Sequence, residues 1–397
     1  MFNLKQIVQT TLFLVAISIG FSEKIIHMNG TYDLDSDNML EFLALEIDPE
    51  TDVFPSIVRF YEVDSDGYQA LIWEFLPPVS LEGDFVDAQI GDIDGDGSPD
   101  LILVMNLSKF ENSATPHVFV ASYNWDGENF SEIPSSTLDI GKENRSLRCN
   151  NFQLLDQDAD GDQEIVLSLG SPFRGFAVVN SNSGGLFLSK KVRPDQLLVG
   201  SGLLYVGVVD YDGDGYDDVI ALSPDGNTIK AQPFYNIGGV FDSGPLVRKK
   251  IDGINGILTH SIKLTDWDSD GFFDILASFS SGDIIALTLT PATLVIEEVP
   301  ITSGPLTQIA LEDFNQDGYE DILTLSADLN SLTLISGKDG GLEGVENAMK
   351  HIPSDMQVFT MSPMTKAGLY TGGVIVSGWN GDQNATYVVN LGIKSDR

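Results

Sequence analysis

Across 397 residues the chain carries 59 aspartates and glutamates against 21 lysines and arginines, a net charge of −38 that makes nucleic acid an unfavourable partner. Thirty-nine glycines, 17 prolines, an apolar fraction of 42% and no long helical periodicity exclude a helix bundle and describe an all-β chain with a substantial core. The single cysteine, Cys149, excludes an internal disulfide and a cysteine-rich zinc site, and is expected to be an inert, partly buried side chain.

The N-terminus reads Lys5 and then the apolar stretch IVQTTLFLVAISIGF, followed by the small residues Gly20 and Ser22. That order is expected of a secretory signal peptide over residues 1–22, cleaved near residue 20 or 22 and too short for a membrane span. Residues 23–397 then form one repeat domain, and no later segment is long and apolar enough to cross a bilayer. The localisation expected is secreted, periplasmic or cell-surface.

Along the rest of the chain one acidic loop recurs six times in the register D-x-[DN]-x-D-[GN]-x-x-[DE]. Its candidate metal ligands are Asp33, Asp35, Asp37 and Glu41; then Asp92, Asp94, Asp96 and Asp100; then Asp156, Asp158, Asp160 and Glu164. The later copies supply Asp210, Asp212, Asp214 and Asp218; Asp266, Asp268, Asp270 and Asp274; and Asp313, Asn315, Asp317 and Asp321. Alternate residues of a tight turn point several oxygens inward, and a calcium-sized hard cation takes six to eight of them at about 2.3–2.6 Å. A glycine at the sixth position permits the left-handed backbone that bends the loop, and Asn38, its replacement in the first copy, tolerates that conformation. About six calcium ions are expected, with magnesium the weaker alternative because it demands tighter octahedral geometry. Six ions would offset twelve negative charges and leave the chain at −26.

The loops begin 59, 64, 54, 56 and 47 residues apart, a period of about one four-stranded blade. Behind each comes a nearly continuous apolar run: FLALE, LILVM, IVLSL, VIALS, ILASF and ILTLS. Such runs are strands buried on both faces, as required when every sheet stacks between two neighbours around an axis. A seventh acidic turn at 62–70 (EVDSDGYQA) falls out of phase between strand-like flanks and reads as a hairpin turn over Asp64, Asp66 and Gly67. After the sixth loop, VFTMSPM, GGVIVSGW and ATYVVNL read as strands of a further blade without an acidic loop. The expected fold is therefore a seven-bladed β-propeller of four-stranded antiparallel blades.

Segments such as IGDIDGDGSPDLILV (90–104) and VVDYDGDGYDDVIAL (208–222) resemble FG-GAP/VCBS repeats, which build the integrin alpha N-terminal type of propeller. The resemblance covers residue 25 to the C-terminus and implies calcium between the first and second strands of a blade, and extracellular duty. The Gly-Ala-Pro signature of integrin alpha chains is not intact; Gly170-Ser171-Pro172 and Ser223-Pro224 are the nearest versions. The chain is accordingly more similar to microbial VCBS-type repeats than to an integrin subunit.

For function, a propeller gathers its variable loops on the face opposite such metal loops. Candidate binding segments there are 106–116 with Phe110, 170–175 with Phe173 and Arg174, and the connection 134–150 with Lys142, Arg145 and Arg148. An extracellular protein or glycan ligand bound by an adhesion module is the first reading. A polysaccharide lyase is the alternative implied by the resemblance, although His27, His117, His260 and His351 are scattered and no G-x-S-x-G, H-E-x-x-H or phosphate-binding glycine loop occurs. A purely structural propeller is the third reading. Glycosylation sequons stand at Asn29, Asn106, Asn129, Asn144 and Asn384.

Overall fold

Every acidic loop is the hinge between the first and second strands of a small antiparallel sheet, and seven such sheets close into a ring. The structure, a computed structural model, describes residues 24–390 except 38, 48–56, 64–68, 77–80, 111–116, 142–146, 172, 195–204, 226, 252–256, 267–272, 280–283, 291–292, 298–305, 315–316, 327–330, 339–340, 348–351, 353–355, 364–372 and 380–383. The signal-peptide segment, the turn at Asp64–Gly67 and the sequon at Asn144 lie outside the described residues. No described helix is long and apolar enough to cross a membrane.

Blade 1 holds β1 (Lys24–Tyr32), β2 (Leu40–Ile47), β3 (Ile57–Val63) and β4 (Gln69–Phe75). Blade 2 holds β5 (Leu81–Gly91), β6 (Asp100–Phe110), β7 (His117–Asn124) and β8 (Ser136–Ile140); blade 3 holds β9 (Cys149–Leu155), β10 (Glu164–Leu169), β11 (Gly175–Asn180) and β12 (Phe187–Val192). Blade 4 has β13 (Tyr205–Val209), β14 (Asp218–Asp225) and β15 (Thr228–Asn236), with two short strands, β16 (Phe241–Ser243) and β17 (Val247–Lys250), sharing the outer edge of β15. Blade 5 comprises β18 (Ile257–Thr265), β19 (Asp274–Phe279), β20 (Ile284–Leu289) and β21 (Leu294–Glu297); blade 6 comprises β22 (Leu306–Glu312), β23 (Asp321–Ser326), β24 (Leu332–Lys338) and β25 (Gly341–Asn347). Blade 7 shows three strands among the described residues, β26 (Gln357–Pro363), β27 (Gly373–Trp379) and β28 (Asn384–Asn390).

The first strands touch one another in ring order, β1, β5, β9, β13, β18, β22, β26 and back to β1. They are the innermost strands. The apolar runs seen in the sequence are the second strands, and their side chains alternate between the two neighbouring blades because successive residues of a strand point to opposite faces. Leu43 and Leu45 of β2 pack toward blade 2, whereas Phe42 and Ala44 pack with Ile375 of blade 7. Ile165, Leu167 and Leu169 of β10 join blade 2, and Val166 joins blade 4. Each inter-blade seam is its own apolar cluster, including the one between blades 7 and 1. The ring thus closes by face packing, and Lys24–Tyr32 belongs to blade 1 as its innermost strand.

Near the axis the seams are polar. Asn29 donates to Ala88 O at 2.7 Å, and Gln89 to Phe152 O at 3.1 Å. Asn151 donates to Val206 O at 2.7 Å and accepts from Val206 N–H at 3.0 Å. Gln308 repeats that clamp on Met361, at 2.8 and 3.2 Å. Farther along the seam, Asn106 clamps the backbone of Cys149 at 2.8 Å in both directions. Two sequon asparagines, Asn29 and Asn106, therefore spend their amides inside the protein, while Asn129 sits on an exposed turn. Cys149 is buried as expected; burial pushes its thiol up to about 12, and Sγ donates to Asn151 O at 3.0 Å.

Replacing Asn151 with Leu leaves the N–H and C=O of Val206 without their partners, and is expected to lower the unfolding free energy by about 2–4 kcal/mol. Urea denaturation of the variant against the parent measures it.

Candidate metal centres

In four of the loops the first aspartate organises the turn by accepting backbone N–H groups. Asp92 accepts from Gly95 and Gly97, both at 2.9 Å, and Asp210 accepts from Gly213 at 2.9 Å and Gly215 at 3.0 Å. Asp313 accepts from Gly318 at 2.9 Å, and Asp156 from Gly161 at 3.2 Å. The fifth-position aspartates accept from the residue two further on, as Asp96 does from Ser98 and Asp214 from Tyr216. These contacts fix the carboxylates without a cation, and so gather like charge on one exposed turn.

The gathering is close. Asp33, Asp35, Asp37 and Glu41 each offer an oxygen, all within 4.8 Å of one another; so do Asp92, Asp94 and Asp96; Asp156, Asp158 and Asp160; and Asp210, Asp212 and Asp218. In the fifth loop Asp268 and Asp270 lie outside the described residues, as does Asn315 in the sixth; Asp266, Asp274, Asp313, Asp317 and Asp321 hold the corresponding places. Asp100, Glu164 and Asp214 lie on their loops without joining these close groups.

The ninth-position acid differs from the rest because it is buried in all six copies, at Glu41, Asp100, Glu164, Asp218, Asp274 and Asp321. It begins the second strand and ties three segments together. One oxygen accepts from the second residue of the loop, as in Leu34 to Glu41, Gln157 to Glu164 and Tyr211 to Asp218 at 2.7–3.0 Å. The other reaches the end of the third strand, where Asp218 accepts from Asn236 N–H at 2.6 Å and Asp321 from Gly337 N–H at 2.7 Å. Glu41 breaks this pattern. Its Oε1 is buried and has no hydrogen-bond partner, and its carboxylate belongs to the cluster with Asp33, Asp35 and Asp37.

A buried carboxylate oxygen without a donor is costly, by roughly 1–3 kcal/mol or more for a charged group. Burial pushes Glu41 up to about 8, Asp100 and Glu164 to about 7 and Asp218 to about 6, with neighbouring aspartates adding to the shift. An all-oxygen set with an orphaned buried oxygen suits a hard divalent cation, which supplies the missing charge.

Two features of the loops escaped the sequence register. The fourth position is left-handed as well as the sixth, with φ of 61° at Ser36, 70° at Gly95, 59° at Ala159 and 73° at Gly213. The glycines at that position in two copies were the available signal. The eighth position reaches the preceding blade: Gln163 N–H donates to Asp92 O at 2.7 Å, Asp217 accepts from Asp156 N–H, and Glu320 accepts from the Thr265 hydroxyl. Adjacent loops are thereby linked across the seams between blades 2 and 3, 3 and 4, and 5 and 6.

Of the residues assigned to the opposite face, Arg148, Phe173 and Arg174 are described and Lys142 and Arg145 fall outside the described residues; Phe110 ends β6, so the connection expected over 106–116 starts only after it. The connection expected over 134–150 is shorter than that, because Ser136–Ile140 pairs with β7 as the outer strand of blade 2. The described histidine contacts are separate: His27 stands 3.5 Å from Asp87, and His117 2.9 Å from Asp139.

No protein-family model matches this chain, and no curated protein sequence matches it. Solved structures do. The BBS1N chain from a complex with ARL6DN aligns over 96% of this chain and 95% of its own, at 10% identity and a TM-score of 0.54. The Dos1 propeller aligns over 94% and 80%, at 9% identity and 0.53. A rhamnogalacturonan lyase of Bacillus licheniformis aligns over 94% and 77%, at 14% identity and 0.48, a likeness too loose to bear on a site. These similarities show the propeller fold.

Two outcomes are expected. Ala159→Gly relieves a left-handed alanine and should raise stability by about 1 kcal/mol, measured by thermal unfolding. In chelator, the raised carboxylates bind protons that the unfolded chain has released, so their stabilisation is present below the usual carboxylate range and is lost as pH rises through their folded values. The melting temperature of the ion-free chain should therefore fall from about pH 5 to about pH 8, and saturating divalent cation should reverse the order.

Proposed function

We propose that this chain is a secreted or surface-exposed β-propeller, stabilised by about six calcium ions in its acidic loops, that acts as a binding or adhesion module for an extracellular protein or glycan. The observation that carries the metal half is the buried, unpartnered Oε1 of Glu41, whose carboxylate clusters with three aspartates. Calcium suits these loops better than magnesium because its larger and more flexible coordination shell accepts many oxygens, whereas magnesium demands tight octahedral geometry and keeps its waters. Its role is structural. The ligands stand at the strand hinges and are tied to the third strands and neighbouring loops, so a bound ion fixes blade geometry.

The binding half follows from where that rigidity is useful. All six acidic loops occupy the same connection and hence the same face, which leaves the second-to-third-strand and blade-to-blade connections on the other. Loops held on a rigid scaffold are where propellers and other repeat folds place recognition. The FG-GAP/VCBS resemblance of the repeats supports extracellular duty, and the N-terminal apolar stretch supports export.

If calcium stands about tenfold above its dissociation constant, each site contributes roughly 1.4 kcal/mol and six contribute about 8 kcal/mol, comparable with the stability of a whole domain. Adding a chelator should therefore lower the melting temperature markedly, and calcium should restore it. A melting curve indifferent to chelator would refute the structural role. Glu41→Gln should lessen the calcium-induced stabilisation by about one site's share.

A further inference from the structure

At the end of blade 3 remote from the acidic loops, the chain gathers cations that its composition makes scarce. The turn Gly170–Arg174 joins β10 to β11, and β12 ends beside it, since Val192 pairs with Phe176. A Cβ at Gly175 would run into Val192 O and the Phe173 ring, so glycine there lets the two segments meet. The meeting brings Lys191 Nζ to 5.8 Å and Arg193 Cζ to 5.1 Å from the Phe173 ring centroid. Arg174, Lys191 and Arg193 are exposed, and among the described residues none of them forms an ion pair. Arg148, on the adjoining first strand's approach, is held 3.7 Å from Asp84.

Arg174 adds an independent sign. Its φ is 54°, a left-handed conformation that costs a non-glycine residue stability, and its N–H closes the turn onto Gly170 O at 2.8 Å. Glycine would suit that place better, so the strained arginine points to a use for its side chain.

We infer that Phe173, Arg174, Lys191 and Arg193 form a binding site for the carboxylate-bearing sugars of an acidic polysaccharide. The inference rests on the reading of the chain as a binding propeller, and names its ligand class and site. Guanidinium forks match carboxylates in bidentate geometry, and the apolar ring over which Lys191 and Arg193 lie matches the C–H groups of a uronic acid unit. A phosphate or a glutamate side chain would use the cations but has no flat apolar face for Phe173. The chain's net charge of −38 disfavours a polyanion in general, so a local cluster of cations is what such a ligand needs.

The test uses the full calcium-loaded chain and short oligogalacturonates, too short to gel with calcium, titrated calorimetrically beside their methyl esters. The free acids should bind and the esters should not. Arg174→Ala with Arg193→Ala should weaken binding by about tenfold or more, whereas Lys249→Ala, on the outer edge of blade 4, should leave it unchanged. Arg174→Gly should raise the melting temperature while binding falls, a combination that a merely structural arginine would not give. Equal binding of acids and esters, or unchanged binding by the double variant, overturns the proposal. Tighter binding of poly-L-glutamate at the same residues overturns the glycan class in favour of an acidic peptide. A chain that ignores oligogalacturonate yet still melts in a calcium-dependent way overturns this inference alone; a chelator-insensitive melt overturns the reading beneath it.

Discussion

A carboxylate stands buried at the start of the second strand in six of seven blades, and the architecture around it is arranged to make that tolerable. Burying an acid is unfavourable unless hydrogen bonds or a cation compensate its charge. The fold supplies the bonds from the loop's second residue and from the end of the third strand, as at Asp218. It aims a cluster of aspartates at the same place. The outcome is a joint in which loop, second strand and third strand share one charged group, with its remaining electrostatic demand directed toward the aspartate cluster.

The second strands explain why the joints can be repeated around a ring. A strand flanked by solvent on one face would alternate, but these are apolar at nearly every position because each face meets another blade. Val219 and Ala221 serve the seam with blade 3, while Ile220 and Leu222 serve the seam with blade 5. The innermost strands take the opposite solution. Their polar side chains, Asn151 and Gln308 above all, bond backbone across the seam and so fix the register between blades that apolar packing alone leaves free to slide.

Periodicity made the fold legible in the sequence, since loop, apolar run and spacing recur together and, without helices to cover a sheet, a radial stack buries such strands on both faces. The loops' first, third, fifth and ninth positions were legible for the same reason. What recurrence could not show was anything set by tertiary distance. The amide clamps precede their loops by three to five residues, at Asn29, Gln89, Asn151 and Gln308, so they hold no fixed place in the repeat. The ring of contacts among first strands shows that those, and not the apolar second strands, line the axis. Glu41 looked like any other ninth-position acid until its unpartnered oxygen was placed. The cationic rim joins residues from a turn and an outer strand, so Lys191 and Arg193 carried no local signal.

The central claim is that each of these joints holds a divalent cation. Equilibrium dialysis against radioactive calcium, on the parent chain and on Glu41→Gln, tests it most directly. The account predicts close to six ions bound per parent chain and one fewer, or one much weaker, in the variant. Absence of bound calcium at millimolar concentration, or an identical count in the two proteins, would contradict it.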